Sequence, residues 1–120
     1  MPGSPSIIAV FLGVMLTPLY AQAHAILMSS TPSAGASVPA GRTTMSFRYN
    51  SRIDRIRSRL TLTRPDHSQS VLTIIPAGAP DIIETNTELP TPGPYILHWQ
   101  VLAIDGHITR GDVPFTVTGH

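Results

Sequence analysis

Cysteine and lysine are both missing from the 120 residues of this chain. Without cysteine, no disulfide can stabilise the fold, and no thiolate can act as a nucleophile or bind a metal ion. Without lysine, the basic charge comes from eight arginines, seven of them between Arg42 and Arg64. These arginines alternate with apolar residues and no ladder of aromatic residues accompanies them. The stretch therefore favours the solvated face of a strand over a surface for nucleic acid or anionic lipid.

The sequence also has no apolar run that would span a bilayer comfortably, since the longest, residues 7–16, has the length of a signal peptide. Pro18 and then Ala21-Gln22-Ala23, a small-x-small cleavage pattern, follow this run. Residues 1–6 contain no lysine or arginine, so only the terminal amine supplies positive charge there. We expect residues 1–23 to be a cleaved signal peptide and residues 24–120 to form one exported domain. An uncleaved anchor or a buried strand is the alternative.

Short alternating segments between proline, glycine and Asx turns predict an all-β domain. The pattern favours an immunoglobulin-like sandwich or a small barrel. Trp99 falls on the inward face of the longest segment, so we interpret it as a core residue. Residues 51–58 are compatible with a short helical turn. The seven predicted strands are residues 25–29, 44–49, 59–63, 71–75, 82–89, 95–103 and 113–117.

His24 would become the first residue after cleavage. A terminal histidine offers two donors, its α-amine and its ring Nδ1, which together close a six-membered chelate ring on one metal ion. Within a chain this is impossible, because an internal amide nitrogen is protonated and a poor ligand. The coincidence of the cleavage pattern with the histidine that follows it therefore indicates a metal ligand.

Asp105-Gly106-His107 is the second candidate. Residues i and i+2 of an extended chain point to the same side, so the carboxylate and the imidazole could converge on one ion. Gly106 allows a tight bend between them. A turn carrying solvent-exposed polar groups is the alternative. One amine, two imidazoles and one carboxylate suit tetragonal Cu(II), whereas Zn(II) could use the imidazoles and the carboxylate in a tetrahedral site.

A series of residues and short motifs runs in order along the whole predicted mature chain: His24-Ala25, Ser30-Thr31-Pro32, Gly35, Phe47, Leu60-Thr61-Leu62, Pro92-Gly93-x-Tyr95, Trp99, Asp105-Gly106-His107, Gly111, Val113, Phe115 and Val117. In this series the chain resembles the CopC family of periplasmic copper-binding proteins. The resemblance implies a seven-stranded Greek-key β-sandwich or barrel, immunoglobulin-like or cupredoxin-like. It also implies a role in copper resistance, storage or delivery, with Cu(II) bound by His24, Asp105 and His107. An inner-membrane copper transporter is left open as a partner, and a monomer that binds no nucleic acid is expected.

The sequence departs from the family pattern at two places. Members that also bind Cu(I) carry a methionine-rich loop, but residues 65–94 contain no methionine, which disfavours a soft Cu(I) site. Many members have a glutamate after the strand of Phe47, where this chain has Tyr49-Asn50-Ser51. Asn50 could replace that glutamate only as a hydrogen-bond partner. We expect His98 to face solvent, His67 to lie in a turn, and His120 to end the chain without a role at the metal.

Two other classes of function stay open. A terminal histidine with a second histidine also resembles the copper site of lytic polysaccharide monooxygenases, which would make the protein a small oxidative enzyme. Against this, the mature chain leaves little room for a substrate platform, and the Asp105 carboxylate favours Cu(II). The other class is a structural sandwich that binds no metal. A binding protein without enzymatic activity is the leading prediction.

Overall fold

The computed structural model describes residues 25–119, which fold into two packed β-sheets. The strands are β1 Leu27–Thr31, β2 Ser37–Pro39, β3 Gly41–Tyr49, β4 Ile53–Thr63, β5 Gln69–Leu72, β6 Ile82–Leu89, β7 Gly93–Ala103 and β8 Ile108–Thr118. One sheet has three strands in the order β1-β3-β6, and the other has five in the order β2-β8-β7-β4-β5. All pairs are antiparallel except β2 with β8. No helix within these residues is long and apolar enough to cross a membrane.

The core lies between the two sheets and follows the alternation of the sequence. Successive side chains of a strand point to opposite faces, so every second residue of a half-buried strand can be apolar. Residues of β7 show this without exception, because every second side chain from Tyr95 to Ala103 is buried. The predicted all-β sandwich is confirmed. Its largest fully buried side chains are Met45, Phe47, Tyr49, Leu60, Leu62, Ile83, Leu89, Tyr95, Leu97, Val101, Val113 and Val117.

The structure has eight strands where seven were predicted, and only β6 has the predicted bounds. Two of the differences have a clear physical reason. Residues 53–58, where a short helical turn seemed compatible, belong to β4, and the register with β7 shifts between Asp54 and Arg59. Such a bulge lets a strand carry extra residues and break its alternation, which hides it from a period-2 pattern. The short strand β2 was also missed, because three residues with one proline give almost no pattern.

Chain segments that are far apart in sequence meet at one end of the sandwich. β7 ends and β8 begins there, joined by residues 104–107, and Ile53 at the start of β4 pairs with Ala103. β3 ends at the same place, where Tyr49 pairs with Leu27 at the start of β1. We call this the turn end, after the 104–107 turn.

Trp99 is the single tryptophan of the chain and packs in the core over Gly111 of β8. The two residues are direct cross-strand partners. The ring of Tyr49 meets the indole edge-on, with ring centroids 5.3 Å apart. A Cβ atom at residue 111 would lie 2.6 Å from Cε2 and 2.9 Å from Nε1 of Trp99. Glycine is therefore required here for space.

We predict that Gly111→Ala destabilises the fold by about 1–3 kcal/mol, the usual cost of overpacking a core. Urea unfolding followed by far-ultraviolet circular dichroism measures this change. Gly78→Ala is the matched control, because a Cβ atom at residue 78 would meet nothing within 4 Å. Equal stability of the two variants would contradict the packing argument.

Candidate metal centre

The turn between β7 and β8 brings Asp105 and His107 together. The backbone N–H of Gly106 donates to the carbonyl of Ala103 at 2.9 Å, and that of Ala103 donates to the carbonyl of His107 at 2.9 Å. Gly106 has φ +93°, a conformation that L side chains rarely adopt, so glycine makes this tight turn possible.

Within the turn, the Asp105 carboxylate contacts its neighbour through one oxygen. Oδ1 accepts a hydrogen bond from the backbone N–H of His107 at 3.1 Å and lies 3.3 Å from Nδ1 of the same residue. Both side chains are partly exposed. Two donors at right angles, each about 2.0 Å from one ion, lie about 2.8 Å apart. The separation of these two polar atoms is therefore compatible with neighbouring positions around one ion.

The third predicted ligand, His24, lies outside the described residues, but its neighbour Ala25 is described. Ala25 is only 2 % exposed and belongs to the hydrophobic core. Its carbonyl accepts a hydrogen bond of 3.0 Å from Oγ1 of Thr109. Thr109 is two residues beyond His107 on β8. The chain segment that follows residue 24 is therefore fixed beside the Asp105–His107 turn.

Asn50 holds the same segment from the opposite side. Its Oδ1 accepts a hydrogen bond of 2.8 Å from the backbone N–H of Ile26, and its own N–H donates to the carbonyl of Ile26 at 3.1 Å. This reciprocal pair joins residues 24 positions apart. Asn50 therefore acts as a hydrogen-bond partner of the Ile26 backbone, a role that its side-chain amide allows. No pattern along the sequence identifies Ile26 as that partner.

Tyr49 does not take part in the candidate centre, because its side chain points into the core. It is 1 % exposed, and its hydroxyl has no hydrogen-bond partner within residues 25–119. Burial raises the pKa of the Tyr49 phenol well above its usual value, because the charged form would lose its hydration. The phenol therefore stays protonated and is not suited to bind a cation.

His98 faces away from the core as predicted, but it is engaged rather than simply solvated. Its Nδ1 lies 2.7 Å from Oδ1 of Asp112 and its Nε2 lies 2.9 Å from Oγ1 of Thr63. Nε2 of Gln69 donates to the same threonine oxygen at 2.9 Å. This chain of contacts crosses four adjacent strands, β5, β4, β7 and β8.

Of the other two histidines, only His67 belongs to the described part of the chain. His67 lies in the turn after β4, where its N–H donates to the carbonyl of Arg64 at 2.9 Å. Its φ is +71°. His120 lies outside the described residues. Across residues 25–119, no group of three or more histidine, aspartate, glutamate or cysteine side chains is placed to hold a metal ion.

Known proteins with similar sequences and folds agree with this architecture. YobA of Escherichia coli strain K12 is 27 % identical over 100 residues, which cover 79 % of each chain. CopC from Methylosinus trichosporium OB3b superimposes with a TM-score of 0.74 at 23 % identity, covering 81 % of this chain and 96 % of that one. At this identity the likeness shows the fold alone.

PcoC of Escherichia coli, described as a methionine-rich copper resistance protein, superimposes with a TM-score of 0.63. It is 25 % identical and covers 80 % of this chain and 100 % of its own. The sequence model of the CopC domain matches residues 27–118, which include all eight strands and the Asp105–His107 turn. On that match, the chain belongs to the CopC family.

Proposed function

We propose that residues 24–120 form a periplasmic protein that binds one Cu(II) ion for copper resistance, storage or delivery. Cleavage after Ala23 exposes the α-amine of His24. That amine and the imidazole of His24 bind the ion together with Asp105 and His107. An inner-membrane copper transporter is a candidate partner. The protein itself catalyses no reaction.

The observation that carries this proposal is the hydrogen bond from Thr109 to the carbonyl of Ala25. Consecutive Cα atoms are about 3.8 Å apart, so fixing Ala25 confines the residue before it to a small volume. Thr109 fixes Ala25 on the strand that begins directly after His107. This position of Ala25 supports a terminal chelate close to the two polar side chains that the turn holds together.

The number of available donors supports the same conclusion. Asp105 and His107 form a pair, and no third histidine, aspartate, glutamate or cysteine within residues 25–119 completes a metal-binding group. An ion held by this pair needs further donors from outside those residues. The amine and ring of His24 supply two, which gives the nitrogen-rich set that tetragonal Cu(II) prefers and that Zn(II) exploits less well.

The oxidation state follows from the softness of the donors. Cu(I) prefers thioether and thiolate ligands. PcoC is described as methionine rich, but residues 25–119 of this chain contain only Met28 and Met45. Met45 is completely buried, whereas Met28 is exposed on β1. Two methionines so differently placed make no thioether cluster within residues 25–119, which supports Cu(II) rather than Cu(I) as the ion bound.

A copper oxidase acting on polysaccharides would need a surface that binds sugar rings, which aromatic side chains usually provide. Every aromatic residue within residues 25–119 is buried: Phe47, Tyr49, Tyr95, Trp99 and Phe115. The described part of the chain therefore has no aromatic platform. This burial favours a binding protein over an oxidative enzyme.

The free amine leads to the sharpest prediction. Adding one glycine before His24 converts the amine into an amide, so the chelate is lost while the two sheets are untouched. Removing a partner of a metal ligand typically costs 10–100-fold in affinity, and loss of a chelating donor should cost at least as much. Competition with a Cu(II) chelator measures the affinity of the chain that begins at His24 and of the extended chain.

Two variants serve as references for that experiment. His107→Ala should be impaired about as severely as the extended chain. His98→Ala should bind copper like the parent, because His98 contacts Thr63 and Asp112 instead. Equal affinity of the extended chain and its parent would rule out the terminal chelate.

Copper affinity should also depend on pH. Protons compete with the ion for each ligand, and imidazoles and α-amines in model peptides titrate near ~6.5 and ~7.8. We predict that affinity falls steadily as the pH drops from about 7 to about 5, with more than one proton taken up per ion released. Quenching of Trp99 fluorescence by Cu(II) provides the titration signal. A constant affinity over this range would exclude nitrogen ligands.

The hydrogen bond to Ala25 can be tested by Thr109→Val, which keeps the shape of the side chain and removes its hydroxyl. A hydrogen bond contributes about 1 kcal/mol net, so we predict about fivefold weaker Cu(II) binding. Thr118→Val is the matched control, because Thr118 makes a similar bond to the carbonyl of Val38 at the other end of β8.

The chain with one glycine before His24 shows whether Thr109 positions the terminal chelate or only stabilises the fold. If Thr109 acts by placing the terminal chelate, Thr109→Val should weaken Cu(II) binding in the parent and have no further effect once a glycine precedes His24. An equal loss in both backgrounds, or an equal loss in Thr118→Val, would contradict a positioning role.

A further inference from the structure

Exposed apolar side chains are concentrated at the turn end of the sandwich. Single exposed hydrophobic residues are normal, but a concentration of them marks an interaction surface. Within residues 25–119, five of the six large exposed hydrophobic side chains lie at this end, and only Val71 on β5 lies elsewhere. The five are Ile26, Met28, Ile56, Ile104 and Ile108.

Three of these residues belong to the five-stranded sheet and its 104–107 turn. Ile104 and Ile108 flank the Asp105–His107 turn and are 67 % and 51 % exposed. Ile56 is 95 % exposed and lies in the bulge of β4, which contacts β7 where Oγ of Ser58 accepts a hydrogen bond from the N–H of Leu102. Leu102 pairs with Ile108 across β7 and β8. We call Ile56, Leu102, Ile104 and Ile108 the apolar tip.

A row of basic side chains lies next to the apolar tip on the outer face of the same sheet. Arg59, Gln100 and Arg110 are direct cross-strand partners, two residues along the strands from the Leu102–Ile108 pair. Two residues of a strand span about 7 Å, and the two arginine positions are about 10 Å apart across the sheet. Together with neighbouring residues they line an open hollow of about 280 Å³.

The acidic groups near this row are already engaged within the protein. Asp112 is bonded to His98. Asp105, between Ile104 and Ile108, accepts a hydrogen bond from the N–H of His107 and lies 3.3 Å from Nδ1 of that residue. Asp54 accepts hydrogen bonds from the N–H groups of Ile56 and Arg57 and lies 3.4 Å from the Arg57 guanidinium. A partner that binds this surface is therefore expected to combine negative charge, which the two arginines would contact, with an apolar region, which the apolar tip would contact.

The alternation of the arginines along the sequence favours a solvated strand face, but the structure places Arg59 and Arg110 beside the apolar tip, which the sequence alone does not indicate. We propose that the turn end docks onto a bilayer surface that contains anionic phospholipid. The apolar tip enters the boundary between headgroups and acyl chains, and Arg59 and Arg110 contact lipid phosphates. Interfacial segments bury their apolar face by about 5–10 Å, which matches the separation of about 7 Å between the two rows. Arginine suits phosphate because its guanidinium binds two oxygens at once.

A bilayer explains this surface better than a second protein copy. A stable protein interface takes roughly 20–30 residues from each side, whereas the apolar tip has four side chains. A membrane accepts a few inserted side chains if basic residues assist them. The inference deepens the proposed function, because its physiological meaning rests on the Cu(II) ligands lying at the docked end. The docking itself does not require the ion.

Vesicle co-sedimentation of the metal-free chain of residues 24–120 tests the docking. This chain contains both sheets and the whole described core, and it lacks the apolar run of residues 7–16, which would bind lipid by itself. Vesicles of phosphatidylcholine alone are compared with vesicles in which phosphatidylglycerol replaces part of it. We expect binding to the anionic vesicles only.

Single substitutions then distinguish insertion of apolar side chains from attraction between arginine and anionic lipid. Ile56→Ser should weaken binding to anionic vesicles about tenfold, since burying a large aliphatic side chain contributes that order of affinity. Arg59→Gln should weaken it about fivefold, as expected for one arginine near an anionic surface. Val71→Ser is the matched control, because Val71 is 64 % exposed on β5 and lies away from the turn end. Its binding should equal that of the parent.

Three results would overturn the proposal. The first is that anionic vesicles fail to bind the parent at low salt. The second is that Ile56→Ser binds them as well as the parent does, which would mean charge attraction without insertion. The third is that the parent self-associates in solution and Ile56→Ser abolishes this, which would assign the apolar tip to a second copy. Cu(II) affinity is measured separately on each variant, so failure of docking and failure of the proposed copper site are distinguished.

Discussion

Ala25 is a small residue at the edge of the described chain, yet the candidate centre depends on how it is held. Its side chain is buried in the core, its carbonyl accepts the Thr109 hydroxyl, and the next residue is paired with Asn50 on both of its backbone polar groups. These contacts come from both sheets, since Thr109 lies on β8 and Asn50 follows β3. A terminal ligand on an unrestrained chain would pay the full entropy of ordering upon binding an ion. Here the packing of the sandwich already orders Ala25 and Ile26. In the proposed copper site, this order would reduce the entropy lost when a terminal ligand binds the ion.

The core and the 104–107 turn contribute to the candidate centre in different ways. The Trp99–Gly111 contact fixes β7 against β8 within the sandwich, and the two strands extend beyond it to the 104–107 turn. The turn itself has no buried side chain and owes its shape to Gly106 and to backbone hydrogen bonds. Rigid strands therefore present a compact polar turn, an arrangement that keeps two donors close together without burying either of them.

Much of this architecture could be predicted from the sequence, because alternation is a local signal. The bounds of β6, the inward face of β7 and the closeness of Asp105 to His107 all follow from residues near one another in the chain. The features that were missed depend on partners distant in sequence. The pairing of Asn50 with Ile26 and the partners of His98 are set by strand register. The bulge at residues 55–58 removes the very alternation that a strand prediction uses.

The contacts of His98 have a consequence for which histidines an ion can reach. The Asp112 carboxylate only accepts hydrogen bonds, so Nδ1 of the neutral imidazole carries the proton, and its Nε2 accepts the Thr63 hydroxyl. Gln69 donates to the same threonine oxygen, which turns the hydroxyl proton toward the ring. The lone pair that a metal ion would need is thereby occupied. This hydrogen bond disfavours His98 as a competing ligand for the ion of the proposed copper site.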